Sequence, residues 1–313
     1  MATFESGLFT NDDFLQISNV LYSPKEEEMI ARTLFKMNTS YAPYALEIGY
    51  DYYQRTGSAK ILAKGGSAKD IPFVGEKGGR VTQKVYDIVT GIRYTQAERD
   101  AIAAKRALGK GPAIQLDTLR VSTARRYILE TENAMTFKGD ATYNVKGIFD
   151  SSFYGTDLGT RETVATGTGG YTWAEKTAAE ILTDLEKAVS TVEADGIFKA
   201  RTLVLPPAQY NRLRKPFSTS VPMTLLQWLN SEGMYFENIV TSRVMKAANN
   251  GDTVDYFMVI DNDPEVVELA ITNDIHLGDP VYDIVGTMEM AAMESYGGIL
   301  LRHPAAVYIG KGI

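Results

Sequence analysis

Between Gly57 and Arg93 the chain carries glycine at positions 57, 65, 66, 75, 78 and 79, set around two apolar runs, Lys60-Ile61-Leu62-Ala63 and Val81 to Tyr94. The later run contains Val85, Tyr86, Ile88, Val89 and Ile92. β-prone residues punctuated by glycine predict two strands around a long turn. A two-stranded ribbon has no core of its own and is at best marginally stable in water. Any fold that contains it must lay it across another surface, and a surface on a neighbouring subunit is the natural candidate.

The 313 residues of the chain, at roughly 150 per domain, suffice for about two domains or one large one with extensions. Of the 313 residues 44% are hydrophobic and 23% charged, which suits a globular chain with a real core and excludes global disorder. There is no cysteine, so disulfides, thiolate metal sites and cysteine nucleophiles are excluded. A net charge of -7 argues against a general nucleic-acid binder, which needs a basic contacting face. The cation runs Arg120 to Arg126 and Arg212 to Lys215 read as solvated helix faces. Met1 to Thr10 lacks a signal-peptide pattern and no segment approaches 18 consecutive apolar residues, so a soluble, cytoplasmically made protein with no membrane partner is expected.

Ser23-Pro24-Lys25-Glu26-Glu27 reads as a helix start, and five tyrosines between Tyr41 and Tyr53 suit an arm packed on something else or the edge of a core. Thr95-Gln96-Ala97-Glu98 is a capping box that opens a short helix to Leu108, stopped by Gly109 and Gly111-Pro112. From Gln115 to Lys138, Leu116, Leu119, Thr123, Tyr127, Ala134 and Phe137, with Ile128 and Met135 beside them, predict a helix of about six turns. A polar stretch with seven glycines, to Gly170, reads as loop or short strands. Thr172-Trp173-Ala174-Glu175 is read as a second capping box, opening a helix whose Ala178, Ile181, Leu182, Leu185, Ala188, Val189 and Val192 share one face until Gly196. Thr202 to Leu205 is a short buried strand ended by Pro206-Pro207, Ala208 to Arg214 a helix, and Leu225, Leu226, Trp228 and Leu229 part of another. Strand-like runs follow at Tyr256 to Ile260, Val266 to Thr272, Tyr282 to Met290 and Ile299 to Tyr308. An α/β middle is thus followed by a β-rich return, an α+β arrangement without a repeat.

Groups able to do chemistry are few. His276 and His303 are the only histidines, and neither has a partner at the spacing of a helical metal site. Gly167-Thr168-Gly169-Gly170 before a helix offers amides to an anion, but no G-x-x-x-x-G-K-[ST] exists and Glu175 precedes Lys176-Thr177 where glycine is needed. Asp261-Asn262-Asp263-Pro264-Glu265 resembles the start of a calcium loop, yet Val266 stands where the sharp turn requires glycine, so a turn between strands is expected. No G-x-S-x-G nucleophile motif is present. No catalytic, cofactor-binding or metal-binding residue is assigned, and no cofactor.

The order of elements resembles the HK97-type major capsid fold of tailed phages, related to the encapsulin shells, over nearly the whole chain. Two stretches carry the resemblance. One is Arg125-Arg126-Tyr127-Ile128-Leu129-Glu130-Thr131-Glu132-Asn133-Ala134-Met135-Thr136-Phe137-Lys138-Gly139-Asp140 with Gly147-Ile148 after it, similar to the end of the spine helix. The other is Ser295-Tyr296-Gly297-Gly298-Ile299-Leu300-Leu301-Arg302-His303-Pro304-Ala305-Ala306-Val307, similar to the closing strand. The resemblance implies an N-terminal arm (1–56), an extended loop (57–93), a peripheral domain with its spine helix (94–174, helix 115–138), an axial domain (175–274) and a C-terminal β return (275–313). It implies a structural protein, not an enzyme, that assembles with itself into pentamers and hexamers of an icosahedral shell around phage DNA in the host cytoplasm, contacting the DNA weakly and nonspecifically.

Portal and a separate scaffolding protein are the implied partners, because the numbering begins at Met1 and a removed scaffolding segment is therefore not expected. Members of this fold can crosslink through a loop lysine; Lys60, Lys64, Lys69, Lys77 and Lys84 lie in the region, but no motif fixes the partner groups and no crosslink is expected. An encapsulin-type compartment around a cargo enzyme is the alternative. A soluble α/β enzyme using His276 or the glycines at 167 to 170 is the reading from a different class, and it leaves the ribbon without a purpose.

Overall fold

The computed structural model describes residues 29–61, 64, 71–108, 116–153, 161–216, 223–231 and 236–313. The helix start expected at Ser23 to Glu27 and the glycines at 109 and 111 lie outside them. In chain order the elements are α1 (Ala31–Leu34), β1 (Met37–Asn38), β2 (Glu47–Thr56), β3 (Gly75–Lys84), β4 (Tyr86–Tyr94), α2 (Gln96–Leu108) and α3 (Leu116–Lys138). Next come β5 (Gly139–Asp140), β6 (Val145–Lys146), β7 (Arg161–Thr163), α4 (Ala178–Val192), β8 (Thr202–Leu205), α5 (Pro207–Leu213), α6 (Leu225–Ser231) and β9 (Asn238–Thr241). The chain closes with α7 (Ala247–Asn250), β10 (Tyr256–Ile260), β11 (Val267–Leu277), β12 (Val281–Tyr282), β13 (Met288–Leu301) and β14 (Val307–Lys311).

The chain divides into two compact units. One holds, of the described residues, Thr90–Tyr127 and Leu277–Ala292. Here the predicted capping box forms: the Thr95 amide donates to Glu98 Oε2 at 3.0 Å and the Glu98 amide to Thr95 Oγ1 at 3.3 Å. Arg120 donates to Glu98 Oε1 at 2.6 Å and lies 4.6 Å above the Tyr94 ring. That guanidinium, with the Thr95 amide, holds the Glu98 carboxyl down at about 2. β12 pairs with the start of β13 through Val281↔Glu289 and Tyr282↔Met288, so the single strand expected from Tyr282 to Met290 is broken. Asp283 accepts from the Val285 and Thr287 amides at 2.9 Å each, an Asx turn that a hydrophobic pattern does not announce.

The other unit comprises Met29–Val89, Ile128–His276 and Met293–Ile313. Its centre is a five-stranded sheet of order β7-β14-β10-β8-β9. Every residue of β8 and β10 is buried, as continuous apolar runs covered on both faces should be. On one face Ile181, Leu185, Ala188, Val189 and Val192 of α4 pack with Trp173, Leu203, Leu205, Phe257 and Val259. On the other, Val204, Met258 and Ile260 meet Phe137 and the apolar side chains Leu269, Tyr296, Leu301 and Ile309. α4 is capped by Thr177 and Glu180, not by Thr172 and Glu175; the latter pair closes a preceding turn, and Trp173 is carried into the core by it. The last predicted strand also divides: Pro304 lies in a helical turn between β13 and β14.

The spine helix forms where predicted, and of the predicted face Phe137, with Ile128 beside it, is buried while the rest of the inward face is different. Leu119, Thr123, Tyr127 and Ala134 are exposed; Ala124, Ile128, Glu132, Asn133, Thr136 and Phe137 are buried. Three of those six are polar, and each has a partner: Glu132 pairs with Arg32, Asn133 Oδ1 accepts from the Ala31 amide at 3.1 Å, and Thr136 Oγ1 lies 2.9 Å from the Tyr296 hydroxyl. Periodic apolar residues therefore mislead here, because the inward face is chosen by polar pairing with α1 and β13. The helix end is equally specific. The Ile148 and Phe149 amides donate to the Thr136 and Phe137 carbonyls at 2.8 and 2.9 Å, satisfying acceptors that a helix C-terminus leaves free. That return requires Gly139 (φ 73°) and Gly147, where a Cβ would stand 2.4 Å from Val145 O and 2.2 Å from Gly139 N. No helix among the described residues is long and apolar enough to cross a membrane.

Candidate assembly interface

β2 and β3 form a two-stranded antiparallel sheet by themselves, with ten residues in each strand paired from Glu47↔Lys84 to Thr56↔Gly75. The ribbon expected from the sequence exists, but its outgoing strand lies before Gly57, in the tyrosine-rich segment. Lys60 and Ile61 are not in a strand, and Leu62 and Ala63 lie outside the described residues. The incoming run also splits at Val85 into β3 and β4. What the composition missed was an alternation: Ile48, Tyr50 and Tyr52 fall on one side of β2, and Gly49, Asp51 and Tyr53 on the other. That period of two was legible, but the tyrosine count drew attention from it.

Only the root of the ribbon is seated. Ile48 is buried with Ala270 and Leu300, and the Tyr50 hydroxyl donates to the Leu301 carbonyl at 3.1 Å. Ile48 and Gln83 lie over Gly297 and Gly298 of β13: a Cβ would come within 2.3 Å of Ile48 Cδ1 at the first and 1.9 Å of Gln83 Nε2 at the second, where φ is also +90°. The glycine pair of the closing strand is thus the seat of the ribbon. Beyond the root nearly every side chain is exposed, including Tyr53 at 64%. Asp51 and Arg80 form a two-pronged ion pair across the strands at 2.6 and 2.9 Å, which keeps the Asp51 carboxyl below its ordinary range and fixes the register. Past the seat, toward the turn, Ile61, Ile71, Phe73 and Val74 are exposed at 98, 58, 89 and 79%. Large apolar side chains left exposed in one stretch of chain are the kind of surface that another protein can cover.

A family model for the major capsid protein matches residues 57–313, well over half of the chain. The chain belongs to the major capsid protein family. The fold of this capsid protein is similar to the capsid of Myoviridae phage XM1, with a TM-score of 0.78 at 11% identity over 99% of this chain and 100% of that one. It is similar also to the capsid of a native GTA particle (TM-score 0.63, 14% identity, 99% of each chain) and to a virus-like particle from Pyrococcus furiosus (0.50, 15%, 82% of this chain and 85% of that one). No curated protein matches the sequence. The fold is the α+β HK97 type, and the capsid protein is a structural component of a phage-type shell and not an enzyme.

In the capsid protein the groups that sequence alone offered for chemistry are held by their own neighbours. The His276 ring sits 3.1 Å from the Asp274 carbonyl, and His303 packs 5.4 Å from the Phe198 ring. The amides of the glycine segment face no open cradle: the Thr168 amide and hydroxyl both donate to Glu180 Oε1 at 2.6 Å, and the Thr177 amide to Glu180 Oε2 at 2.8 Å. Those donors, the Thr168 hydroxyl first, bring the Glu180 carboxyl to about 2, so an internal carboxylate stands where a phosphate was weighed. Asp261 and Asp263 face Arg201 at 3.1 and 3.4 Å and accept from the backbone of their own turn, as the turn reading expected. Among the described residues no three His, Asp or Glu side chains are grouped to hold a metal ion. Of the loop lysines Lys77 and Lys84 lie on β3, and Lys69 lies outside the described residues.

Proposed function

We propose that the capsid protein closes an icosahedral shell around double-stranded DNA by arranging itself in pentamers and hexamers, each β2–β3 ribbon lying on an adjacent copy. The observation that carries this reading is the ribbon: a hairpin of two ten-residue strands with a seated root and an exposed, partly apolar remainder cannot be explained by the stability of its own subunit. The contact is heterologous, one patch meeting a different patch on the next copy, and repetition of such a contact closes rings of fixed size. On this reading 94–174 and the return from 275 serve as peripheral domain, 175–274 as axial domain, and residues before β2 as arm. Portal and a separate scaffolding protein assist assembly in the host cytoplasm, and contact with packaged DNA is weak and nonspecific, as the net charge of -7 favours.

Electron microscopy of the high-mass fraction, with and without a scaffolding partner, tests it. Uniform icosahedral shells containing nucleic acid are expected. A small fixed oligomer under both conditions overturns the shell, and shells filled with an enzyme overturn the DNA part. Replacing 57–74 by a short glycine-serine turn is expected to leave a folded subunit that no longer assembles.

A further inference from the structure

Arg32 on α1 stands among three carboxylates from three other elements. Its Nη2 is 2.7 Å from Glu132 Oε2 on α3 and 2.6 Å from Glu294 Oε1 on β13, and its Nη1 is 2.9 Å from Asp274 Oδ1 on β11. Glu132 and Glu294 are 1% and 0% exposed, whereas Asp274 is about half exposed. One partly buried cation does not balance two buried carboxylates and a third at the surface, and one buried carboxylate oxygen, Glu294 Oε2, has no donor beside it. A protonated Glu294 carboxyl becomes a donor, and the adjacent Glu132 carboxylate is the acceptor for it. The remaining polar neighbour, the Tyr296 hydroxyl, is engaged with Thr136.

We infer that a proton held by Glu294 against Glu132 is a latch, fastening the α1 segment to the spine helix and to the closing strand, and that its loss loosens that segment. α1 opens the described part of this unit, and its other polar ties are the Ala31 amide to Asn133 Oδ1 at 3.1 Å and the Asn262 side-chain amide to the Leu34 carbonyl at 3.5 Å. With Glu294 neutral, Arg32 balances Glu132 and the exposed Asp274 is served by water. With Glu294 ionised, two buried anions face each other across one guanidinium. Burial first, then the Glu132 charge, raises the Glu294 carboxyl to about 8, with Arg32 opposing and Asp274 adding to the rise.

The direction of the pH effect follows from linkage. An opened segment returns Glu294 to water and to a carboxyl value of roughly 4.3. Opening therefore releases a proton between about pH 4.3 and 8, and the opening equilibrium rises by up to about tenfold per pH unit there, then levels off above about 8. The latch is tightest in mild acid.

Hydrogen exchange of peptides spanning 29–36, corrected for the intrinsic pH dependence of exchange, reads it directly on the full-length protein. Wild type is expected to show the rise and the plateau. Glu294→Gln, neutral at every pH, is expected to be flat, and Asp274→Asn, altered at the exposed end of the cluster, should reach its plateau at lower pH. Infrared difference spectra of wild type provide a readout that needs no variant: a carboxylic-acid carbonyl band should disappear as pH passes about 8. A flat wild-type profile, an unchanged slope in Glu294→Gln, or absence of that band at neutral pH would overturn the latch.

Discussion

The β2–β3 ribbon and the β7-β14-β10-β8-β9 sheet are both short-strand assemblies in the same unit, yet they are held by opposite means. β10 has a partner on each side, β14 and β8, and five buried residues in succession. Around it Phe257 meets Trp173 and Tyr308 at ring separations of 5.4 and 5.8 Å, and a buried cation beside it is paired. Lys176 Nζ and Trp173 Nε1 both donate to the buried Asp184 Oδ2, at 2.6 and 2.9 Å. The ribbon has one partner per strand, cross-strand glycines beneath Tyr52 and Tyr53, and an ion pair in open solvent. The sheet is a place where the subunit gains its own stability, and the ribbon one where it leaves apolar surface exposed, which on the proposed reading another copy covers. The same chemistry, a tyrosine or a carboxylate paired with a cation, counts for much in the first setting and little in the second because water competes only in the second.

Four substitutions sharpen or break this contrast. Asp184→Ala leaves Lys176 buried without its counter-charge and is expected to cost about 3–5 kcal/mol in urea unfolding of unassembled subunit. Asp51→Ala in the ribbon should leave the midpoint where it was, and equal losses from the two would erase the distinction. Phe257→Ala opens a cavity between α4 and the sheet and should cost about 3–5 kcal/mol. Its counterpart Phe73→Ala is expected to stay within about 0.5 kcal/mol of wild type while the yield of closed particles in sedimentation falls.

Gly298→Ala attacks the seat: positive φ and the close approach of Gln83 predict a loss of about 1–3 kcal/mol. Limited proteolysis should then cut the ribbon faster without faster cutting in β8 or β10. The smallest effect is at the rim of α4. Glu180 at about 2 lies below its unfolded value of roughly 4.3, so its contribution is present above that value and disappears as pH falls toward 2. Glu180→Gln should flatten that acid limb of the melting curve, while Asp51→Asn should not change the subunit's melting at pH 7.

Local signals in the sequence determined much of this protein. The capping box at Thr95, the apolar face of α4, and the buried runs at Thr202 to Leu205 and Tyr256 to Ile260 were all legible, because each depends on residues within a turn or two of one another. The capsid resemblance rested on two stretches whose physical content became visible only afterwards: Gly139 and Gly147 let the chain fold back to cap the spine helix, and Gly297 and Gly298 seat the ribbon.

Tertiary structure alone decided three things. It selected Glu47–Thr56 as the ribbon's first strand, since pairing register depends on a partner about 20 to 40 residues away in the chain. It turned the polar face of the spine helix inward, since Glu132 finds Arg32 across a hundred residues of sequence. It gathered three carboxylates around that one arginine. Periodicity measures how apolar a face is, whereas burial of a charge is set by whether a counter-charge arrives, and that is a property of the folded chain.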